Sequence, residues 1–146
     1  MWKRSHKWLW LLVAILVIPT FSRCNCDDGG PSSSTEVSVN PKSLIFKALQ
    51  GKEETRTVTV KAESGIITIN KVSISRGQAF YKVAGDLKLP IELNEGDTVK
   101  ISVTYKAPAG AAQSGRLLIE TDAQLPQEGK LEVDLLAQIN QQYLSF

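Results

Sequence analysis

From Thr35 onward the hydrophobic residues recur at every second position, and this period restricts the possible folds more than any other feature of the chain. Val37 and Val39 stand two apart, as do Leu44 and Phe46, Val58 and Val60, Ile91 and Leu93, and Leu117 and Ile119. Val99, Ile101, Val103 and Tyr105 form the clearest run, with Lys100, Ser102, Thr104 and Lys106 out of phase. Leu131, Val133, Leu135, Ala137 and Ile139 form the last. Successive side chains of a strand point to opposite faces, so this pattern predicts strands with one buried and one wet face. Ile67 and Ile69 are followed by Val72 and Ile74, a one-residue slip in phase that predicts a β-bulge.

Turn-forming residues separate the runs: Gln50-Gly51, Ser64-Gly65, Arg76-Gly77, Gly85-Asp86, Asn94-Glu95-Gly96-Asp97, Pro108-Ala109-Gly110 and Glu128-Gly129. Seven to nine short strands at this spacing predict an all-β chain, an immunoglobulin-like β-sandwich over residues 35–146. No segment sustains a helical period, and no Cys or Trp follows Cys26 to build the disulfide core of antibody domains. An eight-stranded outer-membrane barrel would need aromatic girdles at both interfaces. Beyond Arg23 the aromatics are only Phe46, Phe80, Tyr81, Tyr105, Tyr143 and Phe146.

The first residues are of a different kind. Met1–Lys7 is cationic, and Trp8–Ile18 is an unbroken apolar run, too short for the roughly 20 residues of a spanning helix. A positive start before an apolar core of this length is the pattern of a secretory signal. Composition agrees once the leader is set apart. Its Lys3, Arg4, Lys7 and Arg23 are offset by no acid, so the overall charge of +2 becomes −2 beyond Arg23, with 13 basic residues against 15 acidic. The next stretch, Phe21-Ser22-Arg23-Cys24-Asn25-Cys26, resembles the end of a bacterial lipoprotein signal. That resemblance implies acylation of Cys24, with Cys26 as the second candidate, and hence a membrane contact through a lipid anchor. Residues 1–23 are then the signal and 24–34 a tether, since Asp27-Asp28-Gly29-Gly30-Pro31-Ser32-Ser33-Ser34 has nothing to bury.

Residues that carry chemistry are scarce. The one His, His6, lies in the leader, so the remaining chain can build no His-dependent triad. Two Cys one residue apart, without further Cys or His, cannot complete a zinc site, and no phosphate-cradling glycine loop occurs. No metal, cofactor or catalytic residue is expected. Glu92, Glu95 and Asp97 cluster around one turn; a calcium loop or a hydrolytic pair of Glu92 and Asp97 is weighed against a hairpin turn, and turn chemistry explains each residue type. Asp122 and Asp134 read as strand-end and surface residues. The basic residues are spaced singly among acids rather than in a stripe, which argues against nucleic acid as a partner.

Across the body, the order of motifs resembles the ASH family of immunoglobulin-like domains, relatives of the major sperm protein and pilus-chaperone folds. The carrying residues are Val39-Asn40-Pro41, Leu44-x-Phe46, Thr57-Val58-Thr59-Val60, Phe80-x-x-Val83, Ile101-x-Val103-x-Tyr105-x-x-Pro108, Gly115-x-Leu117-x-Ile119 and Val133-x-Leu135-x-Ala137. The expected function is therefore a non-enzymatic, lipid-anchored protein of a bacterial cell envelope, facing the periplasm or the cell surface. Its domain would bind or scaffold an envelope protein by a sheet face or by strand addition at an edge. The competing reading is a secreted or periplasmic carbohydrate-binding or accessory domain. It requires a surface aromatic platform from Tyr81, Tyr105 and Tyr143, of which Tyr105 is in phase with the buried residues. The tail Gln141-Gln142-Tyr143-Leu144-Ser145-Phe146 is apolar enough for a last half-strand or a docking peptide.

Overall fold

A computed structural model describes residues 34–138. The signal segment, Cys24, Cys26, nearly all of the tether, Tyr143 and the tail lie outside the described residues. Nine strands are found among those described, in two sheets that form a β-sandwich. One sheet holds β1 (Glu36–Asn40), β3 (Glu53–Ser64), β7 (Thr98–Lys106) and β5 (Tyr81–Ala84), in that order. The other holds β2 (Ser43–Phe46), β9 (Lys130–Ala137), β8 (Gly115–Thr121), β4 (Ile67–Arg76) and β6 (Ile91–Leu93).

The alternation falls where expected. Val37, Val39, Val58, Val60, Ile101, Val103 and Tyr105 point inward from the first sheet. Leu44, Phe46, Ile67, Ile69, Leu117, Ile119, Leu131, Val133 and Leu135 meet them from the second. The phase slip is a bulge: the register of β4 against β8 shifts between Ile69 and Lys71. Before it β4 pairs with β6; after it Val72 and Ile74 face inward opposite Ile119 and Leu117. One extra residue thus returns the apolar side chains of β4 to the core side.

Three features depart from the local pattern. β1 and β2 are close in sequence but lie in different sheets, β1 antiparallel to β3 and β2 parallel to β9. Pro41 between them has no N–H to donate, so the first ladder cannot continue through it. Next, Asn94-Glu95-Gly96-Asp97 is not a hairpin, because β6 and β7 belong to different sheets and the segment arches between them. Only Gly96 has positive φ there, at 86°. The arch is held by Gly96 N–H to the Ala62 carbonyl at 2.8 Å, and by the Asp97 carboxylate accepting from Asn94 N–H at 3.0 Å. Finally, not every basic side chain in a strand is on an outward row. Arg56 is the Cα partner of buried Val103, and its guanidinium pairs with Glu54 where the rim of the sandwich opens.

Candidate interaction surfaces

The aromatic side chains bear on the binding readings. Tyr81 and Tyr105 are Cα partners in β5 and β7, and both face the core with only 2% and 0% of their surface exposed. With Phe46 they form one cluster, the ring centroids 4.7 to 5.6 Å apart. The Tyr81 hydroxyl donates to the Gln113 carbonyl at 2.6 Å, tying the β7–β8 connection to the core. The Tyr105 hydroxyl has no hydrogen-bond partner among the described residues. This corrects the expected carbohydrate platform: Tyr81 and Tyr105 cannot stack on a sugar, and Tyr143 lies outside the described residues. Sequence reasoning missed β5 altogether, since four residues with adjacent aromatics at Phe80 and Tyr81 carry no clear period.

Burial, with the neighbouring Tyr105 phenol adding to it, pushes the Tyr81 hydroxyl well above its ordinary value near 10. The unfolded chain loses this proton near pH 10 while the folded chain keeps it. Stability from this group is therefore complete below about pH 10 and falls above it, by up to about 1.4 kcal/mol per pH unit. Tyr81→Phe is expected to cost about 1 kcal/mol at neutral pH through the lost hydrogen bond. It should also flatten the fall between pH 10 and 12, as followed by denaturant midpoints. An unchanged alkaline slope in Y81F would assign that slope to other groups.

The acidic candidates do not converge on a catalytic geometry. Glu92 is exposed on β6, the Cα partner of Thr68, whereas Asp97 is spent on the arch described above. Glu95 lies at 3.5 Å from Gly65 N–H. Among the described residues, no three His, Cys, Asp or Glu side chains are grouped to hold a metal ion. Asp122 accepts from Thr68 N–H at 2.6 Å at the end of β8, and Asp134 pairs with Arg116 at 3.4 Å on the outer face. Charges of opposite sign interleave across both sheets, as in Lys61–Glu63, Lys71–Glu120, Lys82–Glu53 and Arg116–Glu132.

The described residues line two surface concavities of note. A surface cleft of about 970 Å³ lies between Val39, Lys42, Pro126, Glu128, Lys130 and Glu132, where charges of both signs alternate. A smaller one, of about 280 Å³, lies on the outer face of β5 and β7 between Glu53, Phe80, Lys82, Thr104 and Lys106, with Lys82 reaching Glu53 at 3.6 Å. Neither brings a nucleophile to a base.

The sheet edges offer more regular chemistry. β4 pairs with β8 from Ile69 to Arg76 but with β6 only along Ile67–Ile69, so, among the described residues, residues 70–76 have a strand on one side alone. β3 is similar: β1 covers residues 59–64 and leaves Glu53–Val58 with β7 as sole strand partner. There, however, the Glu54 carboxylate accepts from Lys47 N–H and Arg56 lies over the opening. Inward charges of this kind protect an edge from further strands. Among the described residues no inward ion pair of that sort lies over residues 70–76 of β4, where Lys71 pairs with Glu120 of β8.

Comparison with solved structures places the fold. The sandwich is similar to an ASH/PapD-like domain of human CEP192 (PapD-like domain 7), with TM-score 0.51 and 14% identity over 75% of this chain and 87% of that one. It is also similar to WR4, a major sperm protein family member of C. elegans, with TM-score 0.53 and 17% identity over 73% and 99% of the two chains. A Porphyromonas gingivalis protein of unknown function gives TM-score 0.58 and 12% identity over 77% of this chain and 51% of its own. No family model and no curated protein matches the sequence. Identities this low speak for architecture alone, and that architecture is the immunoglobulin-like sandwich shared by ASH and major sperm protein domains.

Proposed function

We propose that this chain is a non-enzymatic lipoprotein of a bacterial cell envelope, acylated at Cys24 and tethered by residues 24–34. Its sandwich holds a protein partner at a sheet edge. The observation that carries the binding part is the free edge of β4 at residues 70–76, a row of backbone donors and acceptors without a strand partner among the described residues. An extended segment of a partner adds there as a further strand, with the main chain giving affinity and alternate side chains giving selectivity. The interleaved surface charge and the turn-bound acidic residues support a binding module over a catalyst or a nucleic-acid binder. Lipoprotein-type modification supplies two or three acyl chains, enough for stable anchoring where one chain is not.

Two measurements in the native host test the two halves. The intact mass of the membrane-extracted protein is expected to equal a chain beginning at Cys24 plus acyl groups, and Cys24→Ser to move the protein to the soluble fraction. An unmodified mass, with C24S still membrane-bound, would refute the anchor. A photo-crosslinking residue at Ser73 of the β4 edge is expected to trap one envelope protein that the same probe at Thr57, on the outer face of β3, does not. Equal or absent adducts at both positions would refute edge binding.

A further inference from the structure

The open stretch of β4 has a side-chain chemistry of its own. Val72 and Ile74 lie on its inward row opposite Ile119 and Leu117 of β8, yet they are only half-buried where Ile119 and Leu117 are fully enclosed. β5, an edge of the other sheet, approaches β4 on this side of the sandwich, and its Val83 is half-buried too. These side chains pack against the core and keep apolar surface that a further strand would enclose. The Gln78 side-chain amide donates to the Ser75 carbonyl at 3.2 Å and closes the far end of the run, which leaves the main chain of residues 70–74.

The outward row is basic. Residues 70–76 include Lys71 and Arg76 and no acid. Lys71 meets Glu120 at 3.6 Å. Arg76 has Arg116 as its Cα partner, and Arg116 takes the acids beside it, Glu132 at 3.0 Å and Asp134 at 3.4 Å. Among the described residues Arg76 is thus in no ion pair and stands across from a like charge, an arrangement that is destabilising between strands. Glu120 and Arg116, the β8 partners of Lys71 and Arg76, are four residues apart, so the two cations share the outer face about 13 Å apart.

We propose that the partner segment added at β4 is an acidic, alternating one: two carboxylates four residues apart face Lys71 and Arg76, and the aliphatic side chains between them enter the sandwich over Val72, Ile74 and Val83. This inference rests on the edge reading above and names the chemistry of its partner. A strand alternates its faces, so one five-residue stretch of acid, aliphatic, polar, aliphatic and acid presents both kinds. Ser73, on the outward row between the cations, suits the polar residue at its centre. Charge also selects between edges. The other open stretch, Glu53–Val58 of β3, carries two acids and one base, so it repels the segment that β4 attracts.

Three capped synthetic peptides test it, titrated into the isotope-labelled full chain in mild detergent and followed by amide NMR signals. The first is Ser-Glu-Val-Thr-Val-Glu-Ser, the second has Lys for both Glu, and the third has Ser for both Val. The glutamate peptide is expected to shift signals of residues 70–76 and not of residues 53–58. At low salt it should bind at least about fivefold more tightly than the lysine peptide, a margin that narrows as salt is added. Arg76→Glu, at an exposed position, should erase that preference, and the serine peptide should lose binding in the unaltered chain. Equal binding of the glutamate and lysine peptides, or a preference that survives R76E, would overturn the acidic assignment. Undiminished binding of the serine peptide would overturn the apolar one. If no peptide shifts residues 70–76 the inference fails; a crosslink at Ser73 that still traps a protein then leaves the edge reading standing, and a failed crosslink removes both.

Discussion

Phe46→Ala is expected to remove about 3–5 kcal/mol of stability, the range for truncating a buried aromatic. Its side chain is fully enclosed and is the only member that the second sheet contributes to the aromatic cluster. Tyr81 meets it edge-on at 5.5 Å and Tyr105 in a tilted contact at 5.6 Å. Truncation leaves a cavity that two tyrosines cannot close, because the Tyr81 hydroxyl is fixed to Gln113. Against a total stability of about 5–15 kcal/mol, the loss lowers the melting temperature by well over 10 °C. Phe46→Leu should cost far less, since most of the volume remains. Chemical denaturation with an unchanged m-value measures both, and a loss in F46A below about 1 kcal/mol would mean that the three rings do not share one packed site.

Gly129→Ala is expected to be nearly as damaging, for a backbone reason. Gly129 has φ of 66°, and a Cβ built there would lie 2.2 Å from the Thr121 carbonyl oxygen and 2.8 Å from its carbon. No rotamer relieves a clash between a Cβ and a main-chain atom. The segment joining β8 to β9 must shift, which breaks the 3.0 Å bond from the Thr121 hydroxyl to the Gly129 carbonyl. Gly51 provides the control, with φ of 71° and nothing within 4 Å of its built Cβ. Gly51→Ala therefore carries only the left-handed backbone cost of about 1–2 kcal/mol. G129A adds displacement and the lost bond, for a total of about 3–4 kcal/mol. Equal losses in the two variants would show that the β8–β9 segment relaxes freely.

Both effects arise where the amino-acid pattern says little. Phe46 is legible as an inward residue, but not as the partner of two tyrosines from the other sheet. Tyr81 shows the limit most clearly. Within the Phe80-Tyr81 pair, the local pattern cannot tell which ring is inward, and four residues are too few for a period to emerge. Its burial follows from the register with Tyr105, a residue 24 positions away. That register places Tyr81, a candidate for a surface platform, in the core. Arg56 carries the same lesson in reverse: it is on the inward row of β3, yet its guanidinium is half exposed, because β1 has already left that part of the sheet.

The sequence by itself determined the class of fold, the faces of most strands, the bulge at Ile69–Lys71 and most of the turns. These are local properties: a strand alternates its side chains every two residues, and a glycine accepts positive φ, whatever lies elsewhere in the chain. Only the tertiary structure decided that β2 leaves β1 to run parallel to β9, that the Asn94–Asp97 segment arches between sheets, and that residues 70–76 of β4 have no second strand partner among the described residues. Those outcomes depend on which distant strands bury which faces together. Period two marks a face for burial without naming the strand that will cover it.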